Sequence, residues 1–237
     1  MLMNFCMNRL DFCLCILAGG AGKRLGGDKP RRIIAGKPLI EHVLARLPDA
    51  QRLLSGDEDL AHRYGLEFVA DATFERAGPL AGILAGLRHA RQMGFAQMIS
   101  LPCDAPFLPA DLVPRLLAAG DNIAVAMSSG QLHPTIARWP VTLVAALQLA
   151  HEQDDTRRVM DFIKAQDFVP VEWADQPIDP FFNLNTAYDL ALAEEMLRTG
   201  ETPPQLDLRG LKCPLPALKA AKALAALPAG AVLDVVC

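Results

Sequence analysis

The stretch at residues 12–30, FCLCILAGGAGKRLGGDKP, limits the possible folds more than any other part of the chain. An unbroken apolar run passes straight into a glycine-rich loop that carries Lys23, Arg24 and Lys29. Glycine lets a backbone approach a phosphate closely with its N–H groups turned inward, while the cationic side chains supply charge. The segment therefore reads as an apolar strand that ends in a phosphate cradle. Cys13 and Cys15, two apart in that strand, share one face of the sheet and read as packing residues.

Two common phosphate loops do not fit. A Walker A loop needs a glycine five residues before Gly-Lys-Ser/Thr, but here Gly22-Lys23 is followed by Arg24 and Leu17 stands at the first glycine position. The dinucleotide pattern GxGxxG fails at its third glycine, where Leu25 follows Gly20 and Gly22.

Beyond the loop, short apolar runs alternate with segments of helical period, which predicts an α/β fold built on a mostly parallel sheet with helices on both faces. The expected strands are 12–17, 51–55, 67–70, 97–102, 122–127, 134–138 and 167–173. The expected helices are 38–47, 57–64, 79–93, 109–119, 140–151, 156–165 and 186–198. Ligands of such sheets bind beyond the carboxyl ends of the strands, so the loops opening at Ala18, Asp71 and Pro102 are the expected site. GETPPQ, rich in Gly, Pro and polar residues, marks residues 199–205 as a linker between a main domain at 1–198 and a short unit at 206–237.

The chain has 237 residues, 51% hydrophobic, enough for a full core. A net charge of −4 offers no general attraction for nucleic acid, so free nucleotides are the better partners. Six cysteines without a CxxC pair read as reduced thiols of a cytoplasmic protein. Arg9 and Asp11 interrupt the first apolar run, which is therefore read as neither a secretion signal nor a membrane span.

The pattern LAGGxGxRLGGDKP resembles the opening signature of nucleotidylyltransferases with a Rossmann-like fold, and LAGG in place of LAAG is similar to the molybdenum cofactor guanylyltransferases, often called MobA. The resemblance continues through GKPLIEHVLARL at 36–47, VADATFERAGPLAGILAGL at 69–87, LPCDAPFLP at 101–109, HPT at 133–135, RRVMDF at 157–162 and FFNLNTAYDL at 181–190. It implies GTP as substrate, molybdopterin as acceptor and Mg²⁺ as cofactor. Leu17, Ala18, Gly19, Gly20, Gly22 and Lys29 would hold the nucleotide, with Asp71 on its guanosine part. Ser55 falls near the base, where many relatives carry Asn. Arg24 and Lys29 would stabilise the charge that develops in transfer.

Asp104, a carboxylate at the end of an apolar strand, is the expected Mg²⁺ ligand; Pro106 and Pro109 argue for a rigid loop, and Asp111 is the better candidate for helix capping. Cys103 beside it reads as packing. The small residues of GPLAGILAGL suit a helix that packs tightly beneath the site. His133, Arg157, Arg158, Asn183 and Asn185 are candidate pterin contacts, with solvated arginines, a loop histidine and a helix cap at Asn185 as alternatives. Molybdopterin-loading proteins and cofactor-receiving enzymes are the implied partners.

The tail, LDLRGLKCPLPALKAAKAL, resembles the opening of the TusA/SirA-type sulfur carriers, whose motif cysteine carries a persulfide; Cys213 is the matching position. Lys212 and a helix opened by Pro214 favour a thiolate there. One strand, one helix and one strand form an incomplete βαβ piece, expected to be marginal unless it docks on the main domain. Rival readings are a CTP- or sugar-type nucleotidylyltransferase, an inactive pterin-binding or sulfur-delivery protein, and an oxidoreductase that binds NAD(P).

Overall fold

The computed structural model describes residues 11–19, 28–70, 78–153, 158–210, 215–227 and 231–236. Its first strand, β1 (Phe12–Leu17), is buried along its whole length, which places it in the middle of a sheet. Phe12, Leu14 and Ile16 enter one core layer, while Cys13, Cys15 and Leu17 enter the other. Burial pushes the Cys13 thiol up to about 12, and burial likewise raises that of Cys103. Both are inert packing groups, since the thiolate is the reactive form.

A small hairpin, β2 (Ile33–Ile34) and β3 (Lys37–Pro38), follows the described part of the first loop. Then come α1 (Leu39–Leu44), β4 (Arg52–Ser55), α2 (Glu58–Arg63), β5 (Glu67–Val69), α3 (Pro79–Gln92), β6 (Gln97–Pro102) and α4 (Leu112–Ala118). The second half adds β7 (Ile123–Ser128), β8 (Gln131–Pro140), α5 (Val144–Gln153), α6 (Val159–Lys164), β9 (Phe168–Trp173) and α7 (Ala187–Thr199). Seven strands form one sheet in the order β5-β4-β1-β6-β8-β7-β9. Every neighbouring pair is parallel except those of β8, which runs antiparallel to β6 and β7. The carboxyl ends of β1, β4, β6, β7 and β9 thus share one edge with the start of β8.

The mostly parallel α/β sheet agrees with the sequence pattern, and two details differ. Strand β8 begins at Gln131, earlier than the expected 134, because residues 128–131 form a tight turn with Ser129 and Gly130 at positive φ. Its register slips beside Val125 and Ala126, so that Pro134, which has no N–H to donate, sits in the irregularity. Asp111 occupies the position before α4 but makes no cap bond; its carboxylate instead accepts from the Trp173 indole N–H at 2.9 Å.

Helix α3 lies close under β1, β4 and β6 through two glycines one turn apart. A Cβ on Gly82 would stand 2.7 Å from Ser55 Oγ, and one on Gly86 would stand 2.7 Å from both Cys15 Sγ and Met98 Sδ. A third core cluster, with Ile34, Leu39, Phe107, Leu184, Leu192 and Met196, pins α7 and the segment before it across the carboxyl-end loops.

The tail contains β10 (Gln205–Asp207), α8 (Leu215–Ala225) and β11 (Asp234–Val236), with β10 and β11 paired in parallel. Asp234 accepts from Gln205 Nε2 at 2.7 Å and from the Tyr188 hydroxyl on α7, and Leu208 is buried. Tyr188 is held in its neutral form by that bond, which raises its pKa to about 12. Among the described residues no helix is long and apolar enough to cross a membrane.

Candidate active site

Three strand ends are stitched together where the first loop begins. Leu17 C=O accepts from Cys103 N–H at 3.2 Å, and Ala18 N–H donates to Ser55 C=O at 2.9 Å. Gly19 then passes so near Gly56 that a Cβ on Gly56 would lie 2.3 Å from Gly19 N and 2.4 Å from its Cα. Gly56 has φ +99°, so both conformation and space require glycine there. Leu17, Ala18 and Ser55 are buried at this junction, and Gly19 is exposed at its rim. Gly20, Gly22, Arg24, Asp71, Arg157 and Cys213 lie outside the described residues.

The chain re-enters at Asp28, also at positive φ, and makes one tight turn over Lys29–Arg31. Arg31 anchors that turn: its guanidinium grips both oxygens of Asp57, at 2.7 and 3.1 Å, and reaches Asp28 at 2.7 Å. Asp57 also caps α2 by accepting from Leu60 N–H at 2.8 Å. Burial alone pushes the Asp57 carboxyl up, but the bonds from Arg31 and Leu60 outweigh it and leave it below the usual carboxylate range. Bonds to Asp57 and Asp28 raise the Arg31 pKa further above its already high value.

With its turn fixed, Lys29 points into the carboxyl edge of the sheet. Its ammonium pairs with Asp104 Oδ2 and donates to Asn185 Oδ1 at 2.9 Å, joining residues 75 and 156 positions apart. Both charged side chains are largely buried. An ammonium has three N–H donors, and two are used here. Asp104 Oδ1 and Asn183 Oδ1 are buried acceptors with no partner among the described residues. Each is an oxygen in want of a donor or a cation.

Segment 179–185 holds these groups in place. Leu184 N–H donates to Asp104 C=O at 3.1 Å, while the Leu184 side chain is fully buried. Asn185 is not the helix cap: Thr186 takes that place in a reciprocal box with Asp189, leaving the Asn185 side chain to Lys29. Farther along the same edge, Phe181 packs on the His133 ring at a centroid distance of 4.9 Å and meets Trp173 edge-on at 5.3 Å. Burial lowers the His133 pKa, with Asp179 pulling the other way, which favours the neutral ring. Arg158 precedes α6 as an exposed residue without a side-chain cap bond.

The structure therefore gathers Leu17, Ala18, Gly19, Lys29, Ser55, Asp104, Asn183, Asn185 and His133 along one edge. Gly56, Arg31, Asp57, Ser128 and Asp179 belong to the same edge and are not singled out by the sequence pattern. Only Gly56 has a local signal, the Ser-Gly at the end of an apolar strand.

A family model described as the MobA-like NTP transferase domain matches residues 14–169. The chain belongs to this family. Two MobA-like relatives are each 45% identical over 192 residues, covering 76% of this chain and 91% of theirs. They are the molybdenum cofactor guanylyltransferases of Bradyrhizobium sp. (strain ORS 278) and Rhodopseudomonas palustris (strain BisB5). Among solved structures, the molybdopterin-guanine dinucleotide biosynthesis protein A of Archaeoglobus fulgidus is similar, with a TM-score of 0.66 and 27% identity over 78% of this chain and 98% of its own. The MobA-like fold is thus the nucleotidyltransferase fold that the phosphate loop implies. Residues 204–237 match a second model, that of the sulfurtransferase TusA.

Proposed function

We propose that this nucleotidyltransferase moves GMP from GTP to the terminal phosphate of molybdopterin, yielding the guanine dinucleotide cofactor and pyrophosphate. The observation that carries this reading is the Lys29–Asp104–Asn185 constellation beyond the carboxyl ends of β1 and β6, in a chain so similar to relatives named for that activity.

An oxygen of the acceptor phosphate attacks the α-phosphorus of GTP. A new P–O bond forms there as the bond from the α-phosphorus to the bridging oxygen breaks, and pyrophosphate leaves with that electron pair. The nucleophile is already an anion, so no general base is needed; two anions must be aligned and their repulsion offset. The N–H groups of Gly19, Gly20 and Gly22 cradle the triphosphate. Lys29, oriented by Asp104 and Asn185, directs its remaining N–H at the phosphates, and Arg24 adds charge as the leaving group develops.

Among the described residues no cluster of three or more His, Cys, Asp or Glu could hold a metal alone. One unpaired carboxylate oxygen on Asp104 suits a hard cation that takes its other ligands from substrate phosphates and water. Mg²⁺ bound there would supply charge neutralisation. Asp71 and Ser55 are assigned to the guanosine end of the nucleotide, and His133, Arg157, Arg158 and Asn183 to the pterin.

Residues 1–198 form the transferase domain, 199–205 the linker and 206–237 a TusA-like unit in which Cys213 carries sulfur. The proposed location is the cytoplasm, where thiols stay reduced and GTP is available, with molybdopterin-loading proteins and cofactor-receiving enzymes as the proposed partners. Product formation with molybdopterin and GTP, CTP, ATP or UTP tests the assignment. GTP should be preferred by at least tenfold in kcat/KM, and preference for CTP would reassign the chain to a cytidylyl transferase.

A further inference from the structure

At the acceptor end of the edge, three polar side chains from separate segments form a chain. Ser128, the last residue of β7, is buried with its Oγ 2.8 Å from Asp179 Oδ1 and 2.8 Å from His133 Nε2. Asp179 Oδ1 also accepts Phe181 N–H at 3.0 Å, so its position is set by the segment that holds Asp104 and Lys29.

The proton inventory fixes the direction of every bond. A carboxylate only accepts, and a serine hydroxyl has one proton to give. Ser128 gives it to Asp179, so Ser128 Oγ must accept from His133, and the His133 proton lies on Nε2. On a neutral imidazole the other nitrogen is then an acceptor. Nδ1 has no hydrogen-bond partner among the described residues and is not a buried orphan, and the His133 residue itself is only half-buried. Its lone pair is therefore open to a ligand. The opposite arrangement, with Ser128 donating to His133, would set a bare hydroxyl oxygen 2.8 Å from a carboxylate oxygen with no proton between them.

Position supplies the rest. In the sheet order β8 is the direct neighbour of β6, the strand that leads into Asp104, about 5 Å away at the usual strand spacing and on the side away from Ser55 and β4. A ring that extends from a phosphate beside Lys29 and Asp104 toward β8 therefore reaches the His133 end of the edge. Phe181 packs against the imidazole, its ring centroid 4.9 Å away and tilted by 52°.

We propose that Asp179 and Ser128 are positioning residues that lock His133 in the Nε2–H form, so that Nδ1 accepts a hydrogen bond from an N–H on the heterocycle of the acceptor. This rests on reading the site as guanylyl transfer to a pterin phosphate. Pterins carry ring amide and exocyclic amine donors, whereas an alcohol or sugar phosphate offers no aromatic N–H. The relay thus sorts acceptors by ring chemistry.

The test joins a spectroscopic readout that needs no substrate to a kinetic one. Two-bond ¹H–¹⁵N correlation spectra of the ¹⁵N-labelled full chain should show His133 with a protonated Nε2 and a bare Nδ1. Ser128→Ala should give a tautomer mixture, and Ser128→Thr should restore the single form. Asp179→Ala removes the acceptor of the serine proton, which is then free for His133 Nε2 and lets the imidazole proton move to Nδ1. In the transfer assay, Asp179→Ala and His133→Phe should raise KM for molybdopterin about tenfold and leave KM for GTP unchanged. A wild-type His133 protonated on Nδ1, or an Asp179→Ala variant with unaltered tautomer, would overturn the relay. An unchanged molybdopterin KM in His133→Phe would overturn the acceptor contact. If the wild-type chain transfers no GMP to molybdopterin, the functional reading fails and the acceptor contact with it, while the spectra still decide the tautomer lock.

Discussion

Gly56→Ala is the substitution whose cost can be worked most directly from the structure. At φ +99° a side chain incurs left-handed strain, about 1–2 kcal/mol. The added methyl also lands 2.3 Å from Gly19 N and 2.4 Å from Gly19 Cα, which are backbone atoms with nowhere to swing. Overpacking of this kind adds about 1–3 kcal/mol. Gly65 is a natural control, because it has φ +62° and nothing within 4 Å of its added Cβ, so its alanine variant suffers the strain alone. Urea unfolding should therefore place Gly56→Ala about 1–3 kcal/mol below Gly65→Ala. In a chain of this size that is roughly 2–12 °C in Tm. Because the displaced partner is the first residue of the phosphate loop, KM for GTP should rise in Gly56→Ala and not in Gly65→Ala. Equal stabilities for the two variants would refute the claimed close approach.

Further outcomes follow from the same edge. Asp104→Ala should abolish guanylyl transfer while circular dichroism stays native, because the Lys29 ammonium loses its orienting partner and a bound cation would lose its carboxylate ligand; near-normal turnover would remove Asp104 from the site. Lys29→Ala should slow kcat by about a hundredfold, as loss of a donor aimed at developing charge does, and an effect on KM alone would mark uniform binding. The Asp57 carboxyl is depressed in the folded chain, so its contribution to stability is present above the ordinary carboxylate range and lost as pH falls through its folded pKa. Acid-unfolding curves of Arg31→Gln should be flatter there; parallel curves would count against the pair. Thr202 ties the linker to Pro177 C=O through its N–H at 2.9 Å and its hydroxyl at 2.7 Å, so truncation after Pro204 keeps that tie and should preserve transfer. Loss of transfer in that truncation would show that the TusA-like unit is needed.

Much of the framework is legible in the chain because local rules suffice for it. An all-apolar strand leading into a glycine loop specifies β1, and the alternation of strands and helices specifies the sheet. The small-residue face of α3 announces its close packing, now seen at Gly82 and Gly86. What local rules miss depends on pairing. The direction and early start of β8 are hidden by Pro134, which reads as a strand breaker and sits instead in a register irregularity. Gly56 looks like an ordinary turn glycine until β1 and β4 pair in parallel and bring Gly19 against it. The Arg31–Asp57 clamp and the Lys29–Asp104–Asn185 contact join segments far apart in sequence, with no spacing pattern to betray them. Asp111 shows the converse: its place before a helix suggests a cap, but an indole donor delivered by β9 claims the carboxylate.

The central claim is that this edge joins a guanylyl group to a pterin phosphate. Incubation of the full chain with Mg-GTP labelled at the α-phosphate and with molybdopterin, followed by separation of products, tests it most directly. Label should appear in a pterin–guanine dinucleotide, with one pyrophosphate released per dinucleotide formed. Pyrophosphate release with the label left in free GMP, or no turnover of GTP while CTP is consumed, would contradict it.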